Sequence, residues 1–314
     1  MAVYTPLSDA DLGALLAQYN LGAPHSLEGI AAGVENSNFA LTTERGRFIL
    51  TIFEKRTAEA DLPFFMAMMA RLAERGFPAP EPAAAKGGGF IARVKDKPAA
   101  IVSFLDGHWP RSPTLGHCAA IGDALARLHI ALHDFEHTRP NALGPESWDK
   151  LIRPRLVLAE HLRPGLAAEI EADLDAVHAA WPTDLPRGTI HADLFPDNAL
   201  FTGDKLTGVI DFYFASTDFL AYDLAVCLNA WCFTDERDYD ADKAHAMIDA
   251  YEELRPVTDA ERKALPLLAR GAALRFFATR LADWATTPAG ALVKAKDPLE
   301  YADKLTFWRQ ERLI

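Results

Sequence analysis

Ile190-His191-Ala192-Asp193-Leu194-Phe195-Pro196-Asp197-Asn198, followed by Val209-Ile210-Asp211-Phe212, is the stretch that decides the fold. It reads as strand, polar loop, strand, turn and strand. Thr189 and Ile190 are β-formers that run into the loop, and Ala199-Leu200-Phe201 is a short apolar run. Thr202-Gly203-Asp204-Lys205 is turn chemistry, and Leu206 to Ile210 is apolar again. Asp193, Asn198 and Asp211 therefore fall at the ends of short β elements that fold back on each other.

Those residue types suit phosphoryl transfer. The reaction asks little covalent work of a protein, so positioning and charge neutralisation dominate. A carboxylate accepts the proton of the attacking hydroxyl, and hard oxygen ligands hold Mg²⁺ against the phosphates. Asp193, Asn198 and Asp211 have the order and spacing of the kinase catalytic Asp, the following Asn and the metal-binding Asp. An Asp-Pro-Asn loop alone would be ordinary turn material; the joint spacing with Asp211 is what argues against chance.

The pattern His-x-Asp-x-x-x-x-Asn with Ile210-Asp-Phe resembles the aminoglycoside phosphotransferase and choline kinase branch of the kinase-like fold. His191 to Asn198, Ile210 to Asp218 and Ala221-Tyr-Asp-Leu-Ala225 are similar to bacterial homoserine kinases of that branch. The likeness extends from near Val3 to near Trp308. It implies an α+β, protein-kinase-like bilobal fold. An antiparallel-sheet N-lobe of five strands would span residues 1–103, and a mainly helical C-lobe 104–314. It implies ATP and Mg²⁺ between the lobes, with Asp193 as base and Asn198 and Asp211 on the metal. His191 would brace the loop. Asp223 would cap its helix and brace the loop as well. The implied acceptor is homoserine; choline, an aminoglycoside or another small amino alcohol stay open. A catalytically silent ATP-binding scaffold is the alternative of another class.

Composition narrows the rest. Lys and Arg number 32 against 44 Asp and Glu, a net charge of −12, which argues against a nucleic-acid or anionic-membrane surface. Cys118, Cys227 and Cys232 are few and odd in number, and the last two lie in an apolar run, so buried thiols are expected rather than a disulfide. The first residues lack the basic and apolar segments of a signal peptide, and no apolar run is of membrane-spanning length, so a cytoplasmic protein is expected.

Along the chain, Ser8 N-caps a helix carrying Leu12, Leu15, Leu16 and Tyr19. Strands follow at Leu27 to Ile30, Asn38 to Thr42 and Phe48 to Phe53. The Gly29 to Asn38 segment is either a phosphate loop, with Gly33, Ser37 and Asn38 on the nucleotide, or a plain hairpin connection. On the third strand Thr51 stands where kinases carry a Lys, and Phe65 on the next helix stands near the expected Glu. Lys55 could reach the phosphates instead. A hairpin across Lys95 to Lys97 leads to a hinge at Ser103, Phe104 and Leu105, whose backbone the resemblance places against adenine. Thr114 starts a helix on which His129 and His133 read as packing or surface residues. Helices are expected at Asp149 to His161, Gly165 to Trp181 and Asp223 to Cys232. Thr258 to Glu261 is a capping box. Arg275, Arg280, Asp283 and Trp284 read as a surface or salt-bridged face, with a substrate-pocket wall as the runner-up. Asp197 reads as a surface residue able to meet a substrate ammonium.

Overall fold

The computed structural model describes residues 4–30, 36–54, 57–235, 237–286 and 295–310. The first part is a five-stranded antiparallel sheet of β1 (Pro24–Gly29), β2 (Ser37–Thr43), β3 (Gly46–Ile52), β4 (Ile91–Val94) and β5 (Lys97–Ser103), in spatial order β1-β2-β3-β5-β4. Alternation divides its side chains. Leu50 and Ile52 of β3 and Ala99 and Ile101 of β5 point to one face, under α1 (Asp9–Leu16), with Leu12, Leu15, Leu16 and Tyr19. Ala100 and Val102 point the other way, onto α2 (Leu62–Glu74), and join the core of the helical half. The sheet is thus covered by a separate small core on one side and by the main core on the other.

The helical half comprises α3 (Leu115–Ala131), α4 (Pro145–Ile152), α5 (Leu156–Leu162), α6 (Leu166–Ala180), α7 (Leu220–Trp231), α8 (Ala241–Glu252), α9 (Asp259–Thr286) and α10 (Leu299–Trp308). The expected Asp149 to His161 helix is in fact two, α4 and α5, separated by a 3₁₀ turn at Arg153–Arg155. Pro154 lies in that turn, lacks an N–H and cannot continue a helical ladder. The expected caps form. Ser8 accepts from Asp11 N–H, Thr114 from His117 N–H, and Thr258 Oγ1 from Glu261 N–H at 3.2 Å.

Between α6 and α7 lies the β unit read from the sequence. β6 (Arg187–Ile190) pairs with β9 (Ser216–Phe219), and β7 (Ala199–Thr202) pairs with β8 (Lys205–Val209). The β9 strand was not anticipated; it closes the unit by returning beside β6. Two contacts pin the β7–β8 hairpin to the segment that follows β5. His108 and Phe201 exchange backbone hydrogen bonds at 2.9 Å each way, and Thr207 Oγ1 donates to Asp106 O at 2.6 Å. Gly107 permits this approach: a Cβ there would meet Thr207 Oγ1 at 2.4 Å.

Among the described residues no helix is long and apolar enough to cross a membrane. Cys118, Cys227 and Cys232 are buried free thiols, as expected from their apolar surroundings.

Candidate active site

The loop from β6 to β7 is held by its own backbone and by two helices. Asn198 Nδ2 donates to Asp193 O at 2.8 Å, which leaves its Oδ1 as the acceptor available to a cation. Ile210 N–H donates to Asn198 O at 2.9 Å, and His191 Nε2 to Ile210 O at 3.1 Å. These two bonds bring the strand ahead of Asp211 against the Asp193 loop, so the three residues singled out in sequence share one site. Asp211 is exposed and has φ 62° and ψ 62°, a left-handed conformation that a short polar side chain tolerates better than most.

His191 is fully buried and bridges the two segments: its Nδ1 accepts Asp193 N–H at 3.2 Å. Burial depresses its pKa, against the opposing pull of Asp223 and Asp193. A neutral ring with the proton on Nε2 satisfies both bonds.

Asp223, on α7, accepts the N–H of His191 at 2.7 Å and of Ala192 at 2.8 Å, and receives His129 Nε2 at 3.2 Å. Burial would raise its carboxyl, but the bonds and charges of His129 and His191 outweigh this and hold it low. Its loop-bracing part is as expected. Its helix-capping part is corrected: α7 begins after Phe219 with no side-chain cap, and Asp223 spends its oxygens on the loop instead. Ala192 has φ 63°, a conformation costly for a residue with a Cβ, of order 1–2 kcal/mol. It persists because Asp223 grips its N–H while Arg275 Nη1 donates to its C=O.

Arg275 corrects the surface reading of the α9 charges. It is 2% exposed, and Nη2 lies 3.6 Å from Asp193 Oδ1. Enclosure raises the Asp193 carboxyl above the ordinary range, and Arg275 opposes the rise. The signal available in sequence was its setting, Ala272-Ala273-Leu274-Arg275-Phe276-Phe277, where a charge has apolar neighbours all round. Arg280, by contrast, pairs with Glu300 in a salt bridge. His129 is a packing residue in the expected sense, but its bond to Asp223 also makes it part of the loop's support.

The missing Lys–Glu pair has a structural counterpart. Thr51 donates to Asn38 Oδ1 at 2.9 Å and lies beside Tyr213, two residues beyond Asp211. Tyr213 packs edge-on against Phe65 at 5.5 Å and Phe53 at 5.4 Å. Aromatic packing, worth roughly 0.5–1.5 kcal/mol per pair, joins the sheet, α2 and the Asp211 segment where a kinase places an ion pair. Arg139 reinforces it, 5.0 Å over the Phe65 ring, bonded to Asp61 at 2.8 Å and to Ala215 O at 3.0 Å.

The expected nucleotide contacts fare unevenly. Gly33 and Lys55 lie outside the described residues. The Ser37 hydroxyl is fully buried, accepting Tyr4 and Thr5 N–H and donating to Glu54, so it secures the N-terminal segment rather than facing a ligand. Asn38 sits beside Thr51 on the sheet. Ser103 Oγ accepts Glu81 N–H at 2.9 Å, and Phe104 N–H is taken by Arg47 O, which withdraws that group from any adenine contact. Leu105 packs against Gly208, whose added Cβ would meet it at 2.9 Å.

Asp193, Asn198 and Asp211 are drawn together at the loop that follows β6, and the chain belongs to the phosphotransferase enzyme family, whose model matches residues 26–257. It is 55% identical over 309 residues to a homoserine kinase of Rhodospirillum rubrum, covering 98% of this chain and 96% of the relative. It is also 55% identical to a homoserine kinase of Methylocella silvestris, covering 97% and 95%. A solved amicoumacin kinase, hAmiN in complex with AMP-PNP, Ca²⁺ and Ami, superposes with a TM-score of 0.70 at 14% identity, covering 97% of this chain and 93% of that one. That likeness shows the protein-kinase-like fold.

Proposed function

We propose that this chain is an ATP-dependent kinase that phosphorylates the side-chain hydroxyl of L-homoserine, with Mg²⁺ as the metal. The observation that carries the reaction is the loop in which Asp193, Asn198 and Asp211 are tied together through Ile210 and His191. The near full-length identity to homoserine kinases supports the acceptor.

The donor set fits the metal. Among the described residues no group of three or more His, Cys, Asp or Glu gathers as an all-protein cage. Mg²⁺ is ordinarily held by one or two protein oxygens plus substrate phosphates. Asp211 and the Asn198 Oδ1 are oxygens of that kind. When bound, the metal neutralises charge on the β- and γ-phosphates. Asp193 accepts the hydroxyl proton as the acceptor oxygen bonds to the γ-phosphorus. The bond from that phosphorus to the bridging oxygen breaks, and ADP leaves with its electron pair. Asp223 and Arg275 hold the Ala192 peptide so that Asp193 keeps its aim. The division at residue 103 is retained as the boundary between nucleotide and acceptor halves, and a cytoplasmic setting as the one that suits ATP chemistry.

The silent-scaffold reading rested on the absent Lys–Glu pair. The Thr51–Tyr213–Phe65 packing removes that motive, since it supplies another way to join the sheet to the Asp211 segment. A coupled ADP-release assay with homoserine, choline, ethanolamine and an aminoglycoside tests the proposal. Homoserine-dependent release well above the other acceptors is expected; release with another acceptor alone would overturn the substrate, and release with none would overturn the enzyme.

A further inference from the structure

One charged pair beside Asp193 has no part in the machinery described so far. Lys296 Nζ lies 3.5 Å from Asp197 Oδ2, and the two side chains are 62% and 51% exposed. Asp197 sits in the same loop as Asp193, immediately before Asn198. Lys296 precedes α10 and lies 5.7 Å from the Phe195 ring. Both charges are felt at the Asp193 carboxyl. The segment that carries Lys296 is anchored. Arg280 Nη1 donates to Asp297 O at 3.0 Å, and Asp297 Oδ1 accepts Leu299 N–H at 2.8 Å. Arg280 is itself fixed by Glu300. A lysine on a mobile tail would gain nothing from such anchoring; one that must present its charge at a set place would.

We infer that Asp197 and Lys296 form the clamp for the zwitterionic end of the acceptor, Asp197 taking the α-ammonium and Lys296 the α-carboxylate. An α-amino acid carries both charges on one carbon, spaced to meet an acid and a base that already face each other. An exposed ion pair contributes little by itself, so exchanging it for two charge-assisted contacts with a ligand costs little. The Phe195 ring, packed edge-on against Phe276 at 4.8 Å, offers an apolar surface for the methylenes between head group and hydroxyl. The pair thereby selects amino-acid alcohols over choline, which lacks a carboxylate. This inference rests on the homoserine reading and adds the residues that recognise the substrate.

The test uses the full chain with Lys296→Met and Asp197→Asn, measuring KM for homoserine and for ATP. It also measures inhibition constants for 3-aminopropan-1-ol, which lacks the carboxylate, and 4-hydroxybutanoate, which lacks the ammonium. Each variant should raise the KM for homoserine by about tenfold or more, equivalent to roughly 1.4 kcal/mol, with the KM for ATP at its wild-type value. Lys296→Met should leave 3-aminopropan-1-ol inhibition as it was, and Asp197→Asn should do the same for 4-hydroxybutanoate. An unchanged homoserine KM in either variant overturns the clamp, as does a parallel rise in the KM for ATP, which would mean that Asp197 acts through Asn198. Failure of the underlying reading is distinct: the wild-type chain would then release no ADP with homoserine at all.

Discussion

At Asp193 the scale is one carboxylate. It is enclosed, raised in pKa by that enclosure and countered first by a buried guanidinium at 3.6 Å, then by His191 and Lys296. Asp193→Asn keeps the shape and removes the base. We expect kcat to fall by at least about 10², the scale of positioned base catalysis, with thermal stability retained; near-normal turnover would take Asp193 out of that role. Asp211 and Asn198 differ in charge. Asp211→Ala should abolish metal-supported nucleotide binding in a calorimetric titration, whereas Asn198→Ala should weaken it less, because an ionised carboxylate holds a hard cation better than a neutral amide. Equal affinities in Asp211→Ala and the wild type would sink the metal assignment. Gly33 and Lys55, expected from sequence on the nucleotide, lie outside the described residues, and the Ser37 hydroxyl is spent inside the fold.

At the scale of elements, the catalytic loop depends on helices that never reach a reacting atom. Helix α7 contributes Asp223, and Trp231 Nε1 holds Leu194 O at 2.7 Å. Behind α7 stand α3 and α8. His129 of α3 meets Asp223 on one nitrogen and Tyr251 OH of α8 on the other, the latter at 2.7 Å. The two helices can approach because residue 122 is glycine. A Cβ there would meet the Met247 carbonyl oxygen at 2.0 Å, and backbone cannot swing aside. Gly122→Ala gains about 1 kcal/mol of helix propensity but must separate α3 from α8, an overpacking cost of roughly 1–3 kcal/mol or more. A lower Tm and a reduced kcat are expected together, since the displaced helix carries Tyr251. A melting curve at or above that of the wild type would show that α8 yields freely.

For the whole molecule, buried ionisable groups set the response to acid. His191, Asp223 and Glu300 all have folded-state pKa values below their ordinary ones. For His191 the cause is burial itself; for Glu300 burial is outweighed by Lys304 and Arg280. In each case the unfolded chain binds more protons, so the stability these groups confer is present above the unfolded value and drains away as pH falls. His191 acts first, below about pH 6.5, at up to about 1.4 kcal/mol per pH unit, and the carboxylates follow below about pH 4. Asp193 has the opposite sign and offsets part of the loss at the acid end. Thermal melts from pH 7 to pH 5 should therefore show a falling Tm that flattens in His191→Gln relative to its own neutral value. A wild-type Tm that stays level over that range would contradict the buried neutral imidazole.

Sequence by itself determined the individual strands of the small sheet, the Asp193–Asn198 loop with its following hairpin, and the caps at Ser8, Thr114 and Thr258, because each depends on neighbours a few residues apart; the return of β9 beside β6, the pairing of β3 with β5 and the loss of a cap at Asp223 came from packing. Alternation needs two-residue spacing, a cap needs three, and the Asp193–Asn198 loop needs five. It could not place Arg275. The helical spacing put that side chain on a face, but only the packing of α9 against the loop decided that the face was interior. The same holds for the Thr51–Tyr213–Phe65 packing, whose members are distant in sequence and lie on three elements. Local chemistry is written in adjacent residues; which distant groups share a dry interior is settled only when the chain closes, because burial is a property of the whole packing.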